Sequence, residues 1–112
     1  MSDASKPRKR TQTWRDLMPA SELEPGDVTP AVWDKLELAI YDSTDGIRVS
    51  RLLCTHGAAR LCDGYFDGRY IECPLHQGLF DTRDGSPKAA PARVPLRMYD
   101  ARIHNGMVQF WF

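Results

Sequence analysis

Two short stretches carry the residues best suited to chemistry. Cys54-Thr55-His56 is followed, sixteen residues later, by Cys73-Pro74-Leu75-His76, so each stretch offers one thiol and one imidazole. Thiolate sulfur is soft and imidazole nitrogen borderline, a donor set for zinc or iron-sulfur chemistry rather than for calcium or magnesium. In a Cys-x-His pair the two side chains point the same way if the chain is extended, and the Cys-x-x-His pair suits a tighter loop. Structural zinc sites of this composition usually keep the two Cys on one hairpin and the two His on a helix. Here each stretch mixes its donors. Mixed pairs suit a two-iron cluster in which one metal takes both sulfurs and the other both nitrogens. A zinc-stabilised interaction module would use the same four residues without redox activity.

Cys54-Thr55-His56-Gly57 and Cys73-Pro74-Leu75-His76 resemble the two ligand boxes of Rieske [2Fe-2S] proteins, and most of the chain after Trp14 is similar to the small Rieske ferredoxins. The resemblance implies that Cys54 and Cys73 bind one iron and His56 and His76 the other, in one [2Fe-2S] cluster per chain. Rieske proteins of respiratory and photosynthetic complexes add a disulfide between the boxes and place Ser and Tyr shortly after the second His. Here Leu75, Gly78 and Phe80 stand where those Cys, Ser and Tyr residues would be. A hydroxyl that hydrogen-bonds a cluster or ligand sulfur stabilises the electron-rich reduced form, so its absence implies a reduction potential near the bottom of the Rieske range, roughly −150 mV. Gln77 departs from the ferredoxin pattern, in which Gly is usual after the His.

Imidazole ligands carry a charge consequence. Two ferric ions, two sulfides, two thiolates and two neutral imidazoles sum to zero, whereas four thiolates would leave an oxidised cluster doubly negative. An electron adds more readily to the neutral group. The implied role is one-electron carriage with no bond chemistry of its own, so the chain is read as an electron-transfer component and not an enzyme.

Size and charge bound the alternatives. A chain of 112 residues suits a single domain and is too short for a flavin or catalytic-iron domain alongside. Fifteen basic residues balance fifteen acidic ones, so no global field points to nucleic acid. No apolar run approaches the ~18 residues of a membrane span, and no secretory leader is recognisable. With Cys54 and Cys73 assigned as ligands, Cys62 has no mate, which fits a reducing cytoplasm; it reads as a partly buried thiol. Residues 1–12, with Lys6, Arg8, Lys9 and Arg10 against Asp3, read as a disordered basic tail. Residues 13–112 read as one Rieske domain, with the cluster-binding loops within about 53–92.

The elements that must position the donors read as strands. Trp14 and Leu17 suggest a first strand, and Ser21 to Glu24 one helical turn before a Pro25-Gly26 turn. Leu36, Leu38 and Ile40 alternate with Lys35, Glu37, Ala39 and Tyr41, which predicts a strand with one buried face. Asp45-Gly46 predicts a hairpin turn and Ile47 to Leu53 the return strand. Trp33 would cover the sheet edge. Gly57-Ala58-Ala59 keeps the backbone slim near inorganic sulfur. Gly64 to Gly68 reads as a turn and Arg69 to Glu72 as a short strand. Three prolines, Pro87, Pro91 and Pro95, exclude helix, and by the resemblance Ser86 to Pro91 forms a loop over one side of the cluster. Tyr99 to His104 and Met107 to Phe112 flank Asn105-Gly106, a strong hairpin signal, with Phe110 and Phe112 in the core and His104 exposed at the turn. The sum is an all-β fold: an antiparallel β-sandwich or barrel with a small cluster-binding subdomain at one end.

The resemblance extends to ferredoxin components of bacterial aromatic ring-hydroxylating dioxygenase systems, and so implies a flavin-containing reductase as electron donor and a terminal oxygenase as acceptor, in aromatic hydrocarbon catabolism. A small Rieske-like subunit of assimilatory nitrite reductase is the rival redox reading. Charges between Cys54 and Ala92 comprise five acids and four bases, so docking is expected to lean on apolar tip residues such as Leu75, Leu79 and Pro87.

Overall fold

The computed structural model describes residues 11–55, 57, 59–75 and 77–112. The basic tail assigned to residues 1–12 therefore falls, up to residue 10, outside the described residues. Eleven strands run in chain order: β1 (Trp14–Pro19), β2 (Val28–Trp33), β3 (Leu36–Ser43), β4 (Gly46–Arg51), β5 (Tyr65–Phe66), β6 (Tyr70–Glu72), β7 (Leu79–Asp81), β8 (Pro87–Ala89), β9 (Met98–Tyr99), β10 (Ala101–His104) and β11 (Met107–Trp111). Single 3-10 turns occupy Ala20–Glu22 and Leu61–Asp63. No helix among the described residues is long and apolar enough to cross a membrane. The chain is all-β, as its patterning predicts.

Three antiparallel sheets form, in the orders β1-β11-β10, β2-β3-β4-β9 and β5-β6-β7-β8. The second is the middle layer. Leu38, Ile40 and Val49 meet Val108 and Phe110 of the first sheet in one core. Ala39 and Tyr41, on the opposite face of β3, join Phe66, Ile71 and Phe80 of the third sheet in another. Strand β3 is thus buried on both faces, and Leu38, Ala39, Ile40 and Tyr41 are all inaccessible. This corrects the expectation of one solvated face: the run Leu38 to Tyr41 is continuously apolar, the pattern of a strand covered on both sides. Burial of Tyr41 requires a partner for its hydroxyl. It lies 2.8 Å from Ser50 Oγ, which in turn donates to the Arg51 carbonyl at 2.8 Å.

Turn chemistry accounts for several further differences. β2 carries no strand signal in its sequence, because Pro30 interrupts its pattern. As the edge strand of its sheet it can lack one amide. The β2–β3 turn is Asp34-Lys35, with both residues at positive φ, +45° and +73°. That is the primed turn a hairpin favours, but without the glycine that would announce it. In the next hairpin Ser43 pairs with Gly46, so Thr44 and Asp45 make the turn and Gly46 opens the return strand. The Asn105-Gly106 turn falls where predicted, at φ +51° and +79°, between His104 and Met107. Tyr99 to His104 is two strands rather than one: β9 pairs with β4 and β10 with β11, so the chain changes sheets at Asp100. Tyr65–Phe66 is a strand, and the turn follows it at residues 67–69.

The third sheet is a single excursion from the middle one. β4 and β9 are neighbours, pairing Val49 with Tyr99 and Ser50 with Met98, and everything between them leaves and returns at that edge. The Arg51 amide donates to the Arg97 carbonyl at 3.1 Å and closes the neck.

Candidate metal centre

Both Cys-His boxes lie on this excursion, and both are loops of the same construction. The second spans residues 73–78 between β6 and β7, closed outside by the pair Glu72 and Leu79. The first spans residues 54–59, closed by a bridge between Leu53 and Arg60. In each, the Cys amide donates to the carbonyl five residues on, Cys54 to Ala59 at 2.8 Å and Cys73 to Gly78 at 2.8 Å. In each, the Cys carbonyl then accepts an amide from within the loop, from Gly57 at 3.3 Å and from Gln77 at 3.0 Å. Cys54, Thr55 and Gly57 of the first box thus belong to a chain reversal. The short bridge at Leu53 and Arg60 leaves six residues to reverse the chain, and an extended segment cannot do so.

The two loops meet. Cys54 and Cys73 are both buried, at 5% and 2% exposure, and belong to one cluster with Leu52, Leu61, Ile71, Phe80, Ala92 and Leu96. A Cβ placed on Gly57 would lie 3.8 Å from Leu75 Cδ1, so the tip of one loop touches the side chain of the other. His56 and His76, the two predicted imidazole donors, lie outside the described residues, as does Ala58. Leu75, the neighbour of His76, is 60% exposed, whereas the thiols point inward. Two buried thiols at equivalent positions of facing loops fit a thiophilic metal group, since they exclude water from sulfur while the loop backbones supply nearby amides.

A third segment completes the wall. Ala92 is buried in the same cluster as both cysteines, and a Cβ on Gly78 would come within 3.0 Å of the Ala92 Cβ and amide nitrogen. Thr55 Oγ1 donates to the Val94 carbonyl at 2.6 Å and ties the first loop to the same segment. Leu96, buried in the same cluster, is held by its amide on the Gly85 carbonyl at 2.8 Å. Residues 92–96 thus lie against the loops, and part of the expected Ser86–Pro91 loop is strand β8, paired with β7. Proline tolerates that position because β8 is the edge strand. No residue pattern in 92–96 signals this contact; the tie between Thr55 and Val94 spans 39 positions.

Nearby groups hold the frame. Asp81, buried at the end of β7, accepts Arg69 Nη2 at 2.9 Å and Nε at 3.2 Å, and the Arg83 amide at 3.0 Å. Burial pushes its carboxyl up, but the Arg69 and Arg83 hydrogen bonds outweigh it and hold the group below the usual aspartate range. Cys62 is partly buried beside the same cluster, and burial, ahead of the opposing pull of Arg60, pushes its thiol up. It is thereby a poorer thiolate. Among the apolar residues expected at the tip, Leu75 is exposed, while Leu79 and Pro87 are half-buried.

Comparison with known proteins gives the same assignment. The family model described as Rieske [2Fe-2S] domain matches residues 13–100. The ferredoxin component of the naphthalene 1,2-dioxygenase system of Pseudomonas putida is 41% identical over 95 residues, 85% of this chain and 91% of that protein. Among solved structures, the Sphingomonas yanoikuyae B1 ferredoxin superposes with a TM-score of 0.81 at 36% identity, covering 88% of this chain and 97% of that one. The ferredoxin in a complex of reduced oxygenase and oxidised ferredoxin of carbazole 1,9a-dioxygenase does so with a TM-score of 0.79 at 34% identity, covering 87% and 91%. These likenesses run through the sandwich, the excursion and both loops, and on them the chain belongs to the Rieske [2Fe-2S] domain family.

Proposed function

We propose that this chain is a one-electron carrier, the ferredoxin component of an aromatic-ring dioxygenase system, which takes electrons from a flavin-containing reductase and passes them to a terminal oxygenase. The observation that carries the reading is the placement of Cys54 and Cys73 at equivalent positions of two facing loops in one buried cluster. Cys54, Cys73, His56 and His76 are the residues that would hold one [2Fe-2S] cluster per chain, the thiols on one iron and the imidazoles on the other. When bound, that group supplies reversible uptake of a single electron. The chain's own contribution is environmental. Ile71, Phe80, Ala92 and Leu96 keep water from the two sulfurs, while exposed Leu53, Leu75 and Val94 leave an apolar surface beside the loops for a transient partner. In domain terms, residues 13–112 form one unit, with the ligand loops inside about 53–92. A cytoplasmic setting suits two reduced thiols and an unmated Cys62.

The test is spectroscopic. Purified protein should carry two irons and two inorganic sulfides per chain, absorb in the visible, and give a rhombic electron paramagnetic resonance signal when reduced. Cys73→Ser should abolish all three. A colourless chain holding one zinc would replace the carrier with an interaction module. Transfer of electrons to a sirohaem reductase rather than to an oxygenase would favour the nitrite reductase subunit.

A further inference from the structure

Beside the first ligand loop lies an open groove of about 390 Å³, lined by Lys35, Leu36, Glu37, Arg51, Leu53, Thr55, Pro95 and Arg97. Position, charge and exposed apolar surface coincide there. Its walls come from the β2–β3 turn, the end of β4, the first loop and the returning neck, segments far apart in sequence that the fold brings together. Its charge is one-sided: Lys35, Arg51 and Arg97 stand against the single carboxylate of Glu37. None of the three cations makes an ion pair among the described residues. Its floor includes Leu53, an apolar side chain 43% exposed and adjacent to Cys54. The near-balance of charge between Cys54 and Ala92 conceals this, because all three cations lie outside that stretch.

We propose that this groove is the electrostatic half of the docking face, and that it receives an acidic segment of the electron-transfer partner, with carboxylates flanking an apolar side chain that covers Leu53. The inference rests on the carrier reading for its purpose. Its location follows from charge complementarity: cations left without carboxylates on the chain itself attract them from a partner, and they do so within a few residues of the electron's exit. Thr55 ties the groove to the loop, since its side chain is fixed to Val94 while the residue itself lines the wall. A partner seated here is thereby held in register with the boxes.

Small charged oxidants test the groove without requiring the partner. The dithionite-reduced protein is mixed in low salt with hexacyanoferrate(III), which takes one electron and becomes hexacyanoferrate(II), or with a cationic cobalt(III) oxidant, which becomes cobalt(II). Wild-type protein should favour the anion. Arg51→Glu combined with Arg97→Glu should shift the ratio of the two rates by about tenfold or more toward the cation, and added salt should erase the difference. Any fall in the reduction potential from the added negative charge acts on both oxidants alike, so the ratio of the two rates reports the groove. Because Arg97 also stacks on Tyr99 at 5.4 Å, Lys35→Glu with Arg51→Glu is the second variant, and it should act in the same direction. A rate ratio unmoved by both variants overturns the proposal. If the protein cannot be reduced, the carrier reading fails instead. The groove is then judged by titration with redox-inert hexacyanocobaltate(III), which should shift the amide resonances of residues 51, 53 and 97, and absence of those shifts rejects it.

Discussion

At the scale of single residues, the structure separates substitutions that look equivalent in sequence. Gly78 and Phe80 stand where hydroxyl donors occur in higher-potential relatives of this pattern. Phe80 is fully buried in the cluster that holds both thiols, so Phe80→Tyr adds a hydroxyl within that enclosed space. We expect its potential to rise, as protein-film voltammetry would show, because a donor near sulfur stabilises the reduced form. Gly78→Ser should raise it less and destabilise the chain, since the new Cβ meets Ala92 at 3.0 Å. His76→Cys should lower the potential by adding a negative ligand; a rise in the same measurement would contradict the charge argument. Gln77 is explained by its backbone. Its φ of +62° is a left-handed conformation that Gly adopts without strain, which is why Gly suits the position after the second His. Gln77→Gly should relieve up to about 1 kcal/mol of strain, partly offset by the greater freedom of glycine in the unfolded chain. Urea denaturation of the two proteins measures the balance, and a clear loss of stability would show that the Gln77 side chain contributes contacts of its own.

At the scale of elements, the decisive unit is the six-residue loop closed by its own cysteine. The amide of each Cys is used to fasten the loop, so its side chain is oriented by backbone geometry before any metal binds. Strands β1, β4 and β11 and the Asn105-Gly106 turn were legible because apolar residues and turn dipeptides act through interactions between near neighbours. Strand β2 and the Asp34-Lys35 turn were not, because an edge position excuses Pro30 and a neighbouring sheet sustains two residues at positive φ. The division of Tyr99 to His104 between two sheets is likewise invisible to periodicity, since both halves keep the same alternation.

At the scale of the whole molecule, the excursion that carries both loops has one acid-sensitive fastening within its own sheet. Asp81 links the strand after the second loop to Arg69, and its carboxyl is held below the ordinary range. An acid with a lower pKa folded than unfolded binds protons more readily when unfolded. Its stabilisation is therefore complete above the ordinary aspartate value of about 3.9 and is lost as pH falls through the folded value. Asp81→Asn should cost about 1–3 kcal/mol near neutrality and flatten the dependence of stability on pH in the acid range. Thermal melting of both proteins between neutral and strongly acid pH checks this; parallel curves would show that Asp81 is not the group responsible.

The donor set, the all-β class and the family were readable from Cys54, His56, Cys73 and His76 and from local alternation, because metal affinity and strand pattern are properties of residue type and short spacing. What the tertiary structure alone decided is everything that depends on distant segments arriving together: the second buried face of β3, the tie from Thr55 to Val94 that braces the first loop, and the convergence of Lys35, Arg51 and Arg97 beside Leu53. Burial and electrostatic potential are sums over neighbours in space, and in a sandwich with an inserted sheet many of those neighbours are far away along the chain.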